Sequence, residues 1–297
     1  MRILWHGVAP FTKSGYGNLT KNIALRISQK YPLLISCYYG LHPKSSLVIQ
    51  GTKIYPAAGP NYGEVEVKHF IKKFKIDLPI LASDFWPFPW FAQLPNSMFY
   101  GPVDSFDYIE DDYRVMKTYS YFIPCSQFGA RVYKRVTGRR PYAVIPHGVD
   151  TSIFRPYPKD KCRKLFSFPR KKFIFGMVAA NNDPEPRKGW DDLFVALSEF
   201  FKRNPAEKKN VFVFAFTNPS TDTGYNLSQL AKKLGLRSIV RFPELLPQIV
   251  GLPDREMAML YSTFDLFISA SRREGFNIPL LEAQACGVPV VASSSSA

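Results

Sequence analysis

The 297-residue chain has few cysteines and lacks any long apolar run. The four cysteines, Cys37, Cys125, Cys162 and Cys286, are widely spaced and include no CxxC pair. This spacing argues against a zinc site and against a disulfide framework. No stretch approaches the roughly 20 apolar residues that span a bilayer, and the N-terminus enters a strand-like segment without a signal-peptide core. These absences predict a cytoplasmic protein.

Acidic residues are scarce relative to basic ones, which gives a net charge of +15. Residues 1–150 carry 18 Lys and Arg against 10 Asp and Glu, and residues 151–297 carry 21 against 14. Because the excess is spread over both halves, we interpret it first as solvated helix faces and a preference for phosphorylated substrates. Basic clusters at 68–75 and 131–140 include the apolar residues Phe, Ile and Val. The second interpretation is therefore that these clusters bind an anionic membrane surface, at the inner face of the membrane. No recognition motif for nucleic acid accompanies the charge, so no nucleic-acid partner is predicted.

Apolar strand-like runs alternate with amphipathic segments, which predicts an α/β fold of parallel sheets covered by helices. In the first half, strands are predicted at 3–6, 33–39, 79–83, 98–102, 121–124 and 142–146, and helices at 18–29, 65–74 and 127–136. In the second half, strands are predicted at 173–179, 211–216, 239–242, 266–270 and 288–292, and helices at 190–203, 227–234, 254–261 and 279–286.

A segment rich in turn formers separates the two series. We place an interdomain linker at 147–158, between an N-terminal domain at 1–146 and a C-terminal domain at 159–297. The chain stops directly after a central-looking strand, so we expect the second domain to be truncated.

Residues 274–293 carry the strongest chemical signal. Pro279 suits the first position of a helix that ends at Gly287, and an apolar strand follows. The loop before this helix lies at the positive end of the helix dipole, where backbone N–H groups favour a phosphate. Glu274 and Glu282 flank this loop and can accept hydrogen bonds from hydroxyl groups. A phosphate beside hydroxyls predicts a site for a sugar nucleotide.

Two further loops follow strands and precede helices. Gly15 and Gly17 allow the backbone to approach a ligand closely, although many strand–helix turns contain glycines. Arg187 and Lys188 are placed to clamp a diphosphate, with ordinary surface cations as the alternative.

The order of these segments closely resembles the retaining glycosyltransferases with the GT-B fold. Their motif of two glutamates separated by seven residues is matched by Glu274 and Glu282, and the linker sequence at 145–150 resembles their interdomain segment. The resemblance implies two Rossmann-like domains that face each other across a cleft. It also implies a C-terminal tail that this sequence lacks.

The resemblance implies a role for each matched residue. Glu274 would contact the hydroxyls of the donor sugar and Glu282 those of the ribose, while Lys188 would neutralise the diphosphate as the nucleotide leaves. The backbone N–H groups expected to hold the diphosphate are those of Gly275, Phe276 and Asn277. Asn181 and Asn182 stand near the place where the family has a further arginine, so Arg187 either substitutes for it or is merely adjacent.

The first half departs from the family pattern. Relatives present a histidine to the donor sugar from a middle strand, whereas the corresponding stretch 99–107 contains none. Asp104 is our candidate for that position, where it would bind sugar hydroxyls or help to handle the proton of the acceptor; a cap of a turn is the alternative. The aromatic cluster at 83–90 is interpreted as core packing, with stacking on a sugar or contact with a lipid acceptor as alternatives.

We therefore predict a retaining glycosyltransferase with catalytic residues Glu274, Lys188 and Asp104. The donor would be a UDP-, GDP- or ADP-sugar, bound also by Gly15 and Gly17, and the acceptor would be a saccharide, a protein or a lipid-linked molecule. We expect no metal and no further cofactor. Base and sugar selection would depend on Phe242, Leu245 and Glu274.

Three other functions were considered. A sugar-nucleotide epimerase or hydrolase would rearrange or release the donor, and a catalytically silent protein would only bind it. A dinucleotide-dependent oxidoreductase is disfavoured, because the Gly15–Gly17 segment lacks the third glycine and the acidic residue about 20 positions further on.

Overall fold

The computed structural model describes residues 1–183, 185–244, 251–294 and 296. The chain forms two compact units. The first contains Met1–His147 together with Glu274–Phe276, and the second contains Gly148–Arg273 and Asn277–Ser296. The boundary between the two units therefore lies after His147, which is the first residue of the predicted linker.

The first unit is built on a seven-stranded sheet with the order β3-β4-β2-β1-β5-β6-β7. Its strands are β1 (Ile3–Val8), β2 (Leu33–Tyr39), β3 (Leu47–Ile49), β4 (Thr52–Pro56), β5 (Leu78–Leu81), β6 (Met98–Gly101) and β7 (Tyr121–Pro124). All six residues of the central strand β1 are buried, and Ile3 lies in register with Leu33 on one side and Leu78 on the other. Only β3 pairs antiparallel with its neighbour. Helices on both faces are therefore needed to cover this sheet.

Helical segments of the first unit supply that cover. They are α1 (Gly15–Leu19), a π-helical turn (Thr20–Ala24), α2 (Leu25–Ile27), α3 (Pro60–Phe74), α4 (Pro89–Ala92), α5 (Glu110–Thr118) and α6 (Gln127–Thr137). The buried side chains separate into two clusters, one containing Leu4 and Phe122 and the other containing Trp5 and Ile35. Because Leu4 and Trp5 are neighbours in β1, the two clusters lie on opposite faces of the sheet.

Part of this unit differs from the sequence prediction. Strands β3 and β4 and helices α4 and α5 were not predicted. The strand predicted at 142–146 does not form, although the N–H groups of Tyr142 and Ile145 donate to the carbonyls of Phe122 and Pro124 at 3.0 and 3.2 Å. Pro146 has no N–H to continue this pairing, so the run follows β7 without becoming a strand.

The second unit is built on a five-stranded parallel sheet with the order β10-β9-β8-β11-β12. Its strands are β8 (Phe173–Val178), β9 (Val211–Phe216), β10 (Val240–Arg241), β11 (Leu266–Ser269) and β12 (Val290–Ala292). Its helices are α7 (Lys159–Leu165), α8 (Trp190–Arg203), a 3₁₀ segment (Pro205–Asn210), α9 (Leu227–Lys233), α10 (Asp254–Tyr261) and α11 (Ile278–Ala285).

Parallel strands place their carboxyl ends at one edge of each sheet, and the loops that leave this edge carry the predicted site residues. In the first unit these loops follow β1, β5 and β6, and in the second they follow β8 and β11. Among the residues that the structure describes, no helix combines the length and apolar character needed to cross a membrane.

Candidate functional site

Helix α11 begins at an unusual turn. Asn277 caps it in a left-handed conformation with φ of 66°, and its side-chain amide donates to Ser269 Oγ at the end of β11 over 2.7 Å. Ile278 is consequently the first helical residue, and Pro279 occupies the second position rather than the predicted first. Either position suits a proline, because both N–H groups lack a partner within the helix.

Glu282 lies on the second turn of α11 and is only 8% exposed. Its Oε2 accepts a hydrogen bond from the hydroxyl of Tyr261 over 2.8 Å, and Tyr261 is fully buried at the end of α10. Burial raises the pKa of Glu282 to about 7, the bond from Tyr261 opposes this rise, and Asp254 adds to it. The carboxyl group therefore gains or loses its proton near neutral pH.

Tyr261 was not identified from the sequence as a site residue. A tyrosine at the end of an amphipathic helix is typical of core packing, and only the tertiary structure brings its hydroxyl to Glu282.

Arg187 and Lys188 lie in the loop between β8 and α8, and both are half-buried. The guanidinium of Arg187 pairs with Asp183 at 3.0 and 3.1 Å, and its carbonyl accepts from the N–H of Arg272 over 2.8 Å. This second bond ties the loop to the segment that follows β11. Arg187 of the predicted diphosphate clamp is thus held in place, and its ion-pair partner Asp183 was not predicted from the sequence.

Asn181 has a structural part in the same loop. Its buried amide donates to the carbonyls of Asn218 and Tyr225 at 3.0 and 2.8 Å and accepts from the N–H of Tyr225 at 3.0 Å. All three hydrogen bonds hold the loop after β8 against the loop after β9. The side chain of Asn181 therefore stabilises the loop, and it lies near the position where the family pattern has an arginine.

The predicted donor residues fall in different units. Asn277, Glu282, Arg187 and Lys188 are in the second unit, whereas Glu274, Gly275 and Phe276 are counted with the first. Phe242 packs against the buried cluster of the second unit. Leu245 lies outside the described residues.

In the first unit, Gly15 begins α1 and Gly17 lies within it. Ser14 caps this helix, and its hydroxyl accepts from the N–H of Gly17 over 3.1 Å. A Cβ atom at Gly17 would lie 2.1 Å from the carbonyl oxygen of Thr12. The close approach of the Thr12 carbonyl therefore explains why position 17 requires glycine. The predicted contact of Gly17 with a donor stays a prediction.

Asp104 follows β6 and is half-buried. Its Oδ1 accepts from the hydroxyl of Tyr108 over 2.9 Å, and Asp84, after β5, accepts from Tyr16 over 2.7 Å. Burial raises the pKa of Tyr16 well above its usual range, and Asp84, Tyr38 and Asp104 raise it further, in that order. The two carboxylates therefore belong to one cluster at the carboxyl edge of the first sheet.

The aromatic residues at 83–90 divide into two groups. Phe85, Phe88 and Trp90 are buried in the core, as the first interpretation expected, but Trp86 is 52% exposed. His6 and His147 are buried, and each shares a hydrogen bond with a side chain distant in sequence, Ser36 and Tyr100 respectively. Within the described ranges, the structure contains no group of three or more His, Cys, Asp or Glu side chains arranged to hold a metal ion.

Comparison with known proteins finds a family match for the second unit. Residues 172–297 match the family model described as Glycosyl transferases group 1. The D-inositol 3-phosphate glycosyltransferase of Actinosynnema mirum is 32% identical over 154 residues, which cover 51% of this chain and 35% of that protein. The chain thus spans about a third of the length of the curated relatives it matches.

Solved structures match the whole chain. Sucrose-phosphate synthase from Thermosynechococcus elongatus has a TM-score of 0.78 at 16% identity, with 100% of this chain and 82% of that chain covered. Anabaena HepE in complex with UDP and glucose has a TM-score of 0.73 at 19% identity, with 100% and 81% covered. These likenesses confirm the predicted fold of two Rossmann-like domains and, with the family match, the resemblance to GT-B glycosyltransferases.

Proposed function

We propose, from the match of residues 172–297 to the group 1 glycosyltransferases, that this protein transfers a sugar from a nucleotide diphosphate donor to an acceptor hydroxyl with retention of configuration. The observation that carries the proposal is α11, which presents its N-terminus after Asn277 and a nearly buried carboxylate at Glu282. An oriented helix N-terminus favours the diphosphate. The complex of HepE with UDP and glucose supports a sugar nucleotide as donor.

Each residue has a proposed task. Glu282 accepts hydrogen bonds from the ribose hydroxyls, and Glu274 accepts them from the sugar. Lys188 and the N–H groups at 275–277 neutralise the diphosphate as the bond to the sugar breaks. Asp104 faces the acceptor side and helps to handle the proton of its hydroxyl.

Several wider features belong to the same proposal. The acceptor is bound by the first unit, and the chemistry needs no metal, since cations and helix dipoles supply the positive charge. The protein works in the cytoplasm, where its basic surface favours the anionic inner face of the membrane.

Thermal unfolding with UDP-, GDP- and ADP-sugars tests donor binding. A donor at 100 times its dissociation constant stabilises the folded state by about 2.7 kcal/mol, so one of the three should raise the melting temperature. Glu282→Gln keeps an acceptor for Tyr261 but removes the negative charge, and it should abolish most of that rise. Glu256→Gln is the matched control, because Glu256 is exposed on the neighbouring helix α10. The ribose assignment is wrong if both variants bind the donor like the parent protein.

Product analysis then separates the candidate functions. Transfer requires both a donor and an acceptor and should continue in excess chelator. Loss of turnover in chelator would overturn the metal-free part of the proposal. Donor release or rearrangement without an acceptor would favour the hydrolase or epimerase, and binding without turnover would favour the silent binding protein.

A further inference from the structure

Five loops or strand ends at the carboxyl edge of the first sheet each expose a large aromatic ring. We call this set the aromatic edge; its members are Phe11, Tyr39, Tyr62, Trp86 and Phe106. They follow or end strands β1, β2, β4, β5 and β6, in that order. Their exposed fractions lie between 37% and 62%. Single exposed aromatic residues are ordinary, but a series on consecutive strands of one edge indicates a binding surface.

Tyr62 is presented by a strained turn. Asn61, Tyr62 and Gly63 have φ of 53°, 57° and 87°, so α3 starts with a left-handed turn. This conformation costs roughly 1 to 2 kcal/mol for each residue other than glycine. Strain of this kind persists where the surrounding structure enforces it and concentrates at functional sites.

Two buried rings enforce this turn. His6 Nε2 donates to the carbonyl of Tyr62 over 3.0 Å, and Trp90 Nε1 donates to the carbonyl of Asn61 over 2.9 Å. Because the carbonyl of Tyr62 can only accept, Nε2 carries the proton, and in the neutral ring Nδ1 accepts from Ser36 Oγ over 2.9 Å. The ring of Tyr62 packs against Tyr38 and Phe88, with centroids 5.8 and 5.2 Å away. The core therefore holds Tyr62 in a half-exposed position that a relaxed loop would not maintain.

Two carboxylates that accept from phenols lie two residues before members of the aromatic edge, Asp84 before Trp86 and Asp104 before Phe106. Tyr16 donates to Asp84 and Tyr108 donates to Asp104, while Tyr38 shares a hydrogen bond with Ser83 over 2.8 Å. Tyr16 and Tyr108 thus each bond to one oxygen of a carboxylate. A carboxylate has about four lone-pair sites, so a fixed carboxylate can still accept bonds from hydroxyl groups of a ligand.

We propose that the aromatic edge, together with Asp84 and Asp104, binds a neutral oligosaccharide. Sugar rings offer apolar C–H faces to the aromatic rings and hydroxyl groups to the carboxylates. Anionic ligands such as phospholipid headgroups are disfavoured, because the two carboxylates repel negative charge. The role of this oligosaccharide as the acceptor rests on the proposed function, whereas its binding does not.

Trp86 provides a direct probe. It is 52% exposed, whereas Trp5, Trp90 and Trp190 are 1%, 7% and 2% exposed. Quenching of tryptophan emission by acrylamide therefore reports mainly on Trp86, and Trp86→Phe should remove the quenchable component. The ligands are trisaccharides of glucose or mannose with α or β linkages, tested without donor. At least one of them should protect Trp86 in a saturable manner.

Two variants and one control locate the binding surface. Tyr62→Gly removes a ring at a φ that glycine adopts without strain, and Asp84→Asn keeps an oxygen acceptor for Tyr16 but removes the charge. Each should weaken oligosaccharide binding about fivefold or more. Tyr31→Ala is the control, since Tyr31 is similarly exposed but precedes β2 at the opposite edge, and it should bind like the parent.

The outcomes are distinct. Absence of protection by every trisaccharide would overturn the inference, and so would equal loss of binding in Tyr31→Ala. Vesicles of phosphatidylglycerol that shield Trp86 when trisaccharides do not would point to a membrane surface and would also overturn it. Because donor is omitted, failure of this assay leaves the donor experiments on Glu282 unaffected, and their failure leaves oligosaccharide binding intact.

Discussion

At the scale of single residues, the environment of a side chain decides its chemistry. Glu282 and Glu256 are carboxylates on neighbouring helices, but Glu256 is exposed and Glu282 is nearly buried. Burial raises the pKa of Glu282 to about 7, while the hydroxyl of Tyr261 stabilises its charged form. The negative charge that the proposed contact with ribose needs therefore depends in part on Tyr261, which is fully buried.

Tyr261→Phe should weaken donor binding. Loss of the phenol raises the pKa of Glu282 further, so less of it is ionised at pH 7. A hydrogen bond to a charged group contributes about 1.5 to 3 kcal/mol, which predicts roughly a tenfold or greater loss of donor affinity at pH 7. Titration of donor affinity against pH checks this, and the midpoint should move upward. Tyr157→Phe is the matched control, because it also loses a hydrogen bond from a tyrosine hydroxyl, in this case to the carbonyl of Ile153. If the midpoint does not move in Tyr261→Phe, Tyr261 does not stabilise the charged form of Glu282.

At the scale of elements, periodic patterns predicted α8 and α10 with the observed bounds, and β9 likewise. One helix start was misplaced, and its cause is distant in the sequence. Helix α3 was predicted to start at 65, but a left-handed turn that His6 and Trp90 hold adds residues from Pro60. Both rings are distant in sequence from this turn, so no local pattern could indicate their contact.

Gly17→Ala should destabilise the first unit. A methyl group would lie 2.1 Å from the carbonyl of Thr12, so the loop before α1 must move. Overpacking of this kind costs about 1 to 3 kcal/mol. Urea unfolding followed by circular dichroism measures the free energy of unfolding. Gly148→Ala is the control, since no described atom lies within 4 Å of the added group, and a loss as large in this control would refute the steric explanation.

At the scale of the whole molecule, the two units should respond to pH in opposite directions. Burial lowers the pKa of both His6 and His147, in the first unit, from 6.5 to about 4. Their contribution to stability is complete above pH 6.5 and is lost as the pH falls through 4, because only the unfolded state takes up these protons. Glu282, in the second unit, has a raised pKa, so its contribution is complete below pH 4.5 and is lost as the pH rises through 7.

The free energy of unfolding of the first unit should fall by about 3 kcal/mol for each histidine between pH 6.5 and 4. Urea unfolding at several pH values measures this slope. His6→Gln should reduce the slope, whereas His69→Gln should leave it unchanged, since His69 is exposed. Equal slopes in all three proteins would contradict the assignment to buried histidines.

The sequence by itself determined the fold class, the family resemblance and the segments that carry Glu274, Glu282 and Lys188. These features depend on periodic burial and on short motifs, which are properties of neighbouring residues. Only the tertiary structure decided that Tyr261 bonds to Glu282, that Asp183 pairs with Arg187, and that five exposed aromatic rings share an edge. Apart from the ion pair between Asp183 and Arg187, these contacts and groupings join residues that are distant in the chain. The sequence around a hydroxyl or an aromatic ring does not indicate which distant residue will contact it after folding.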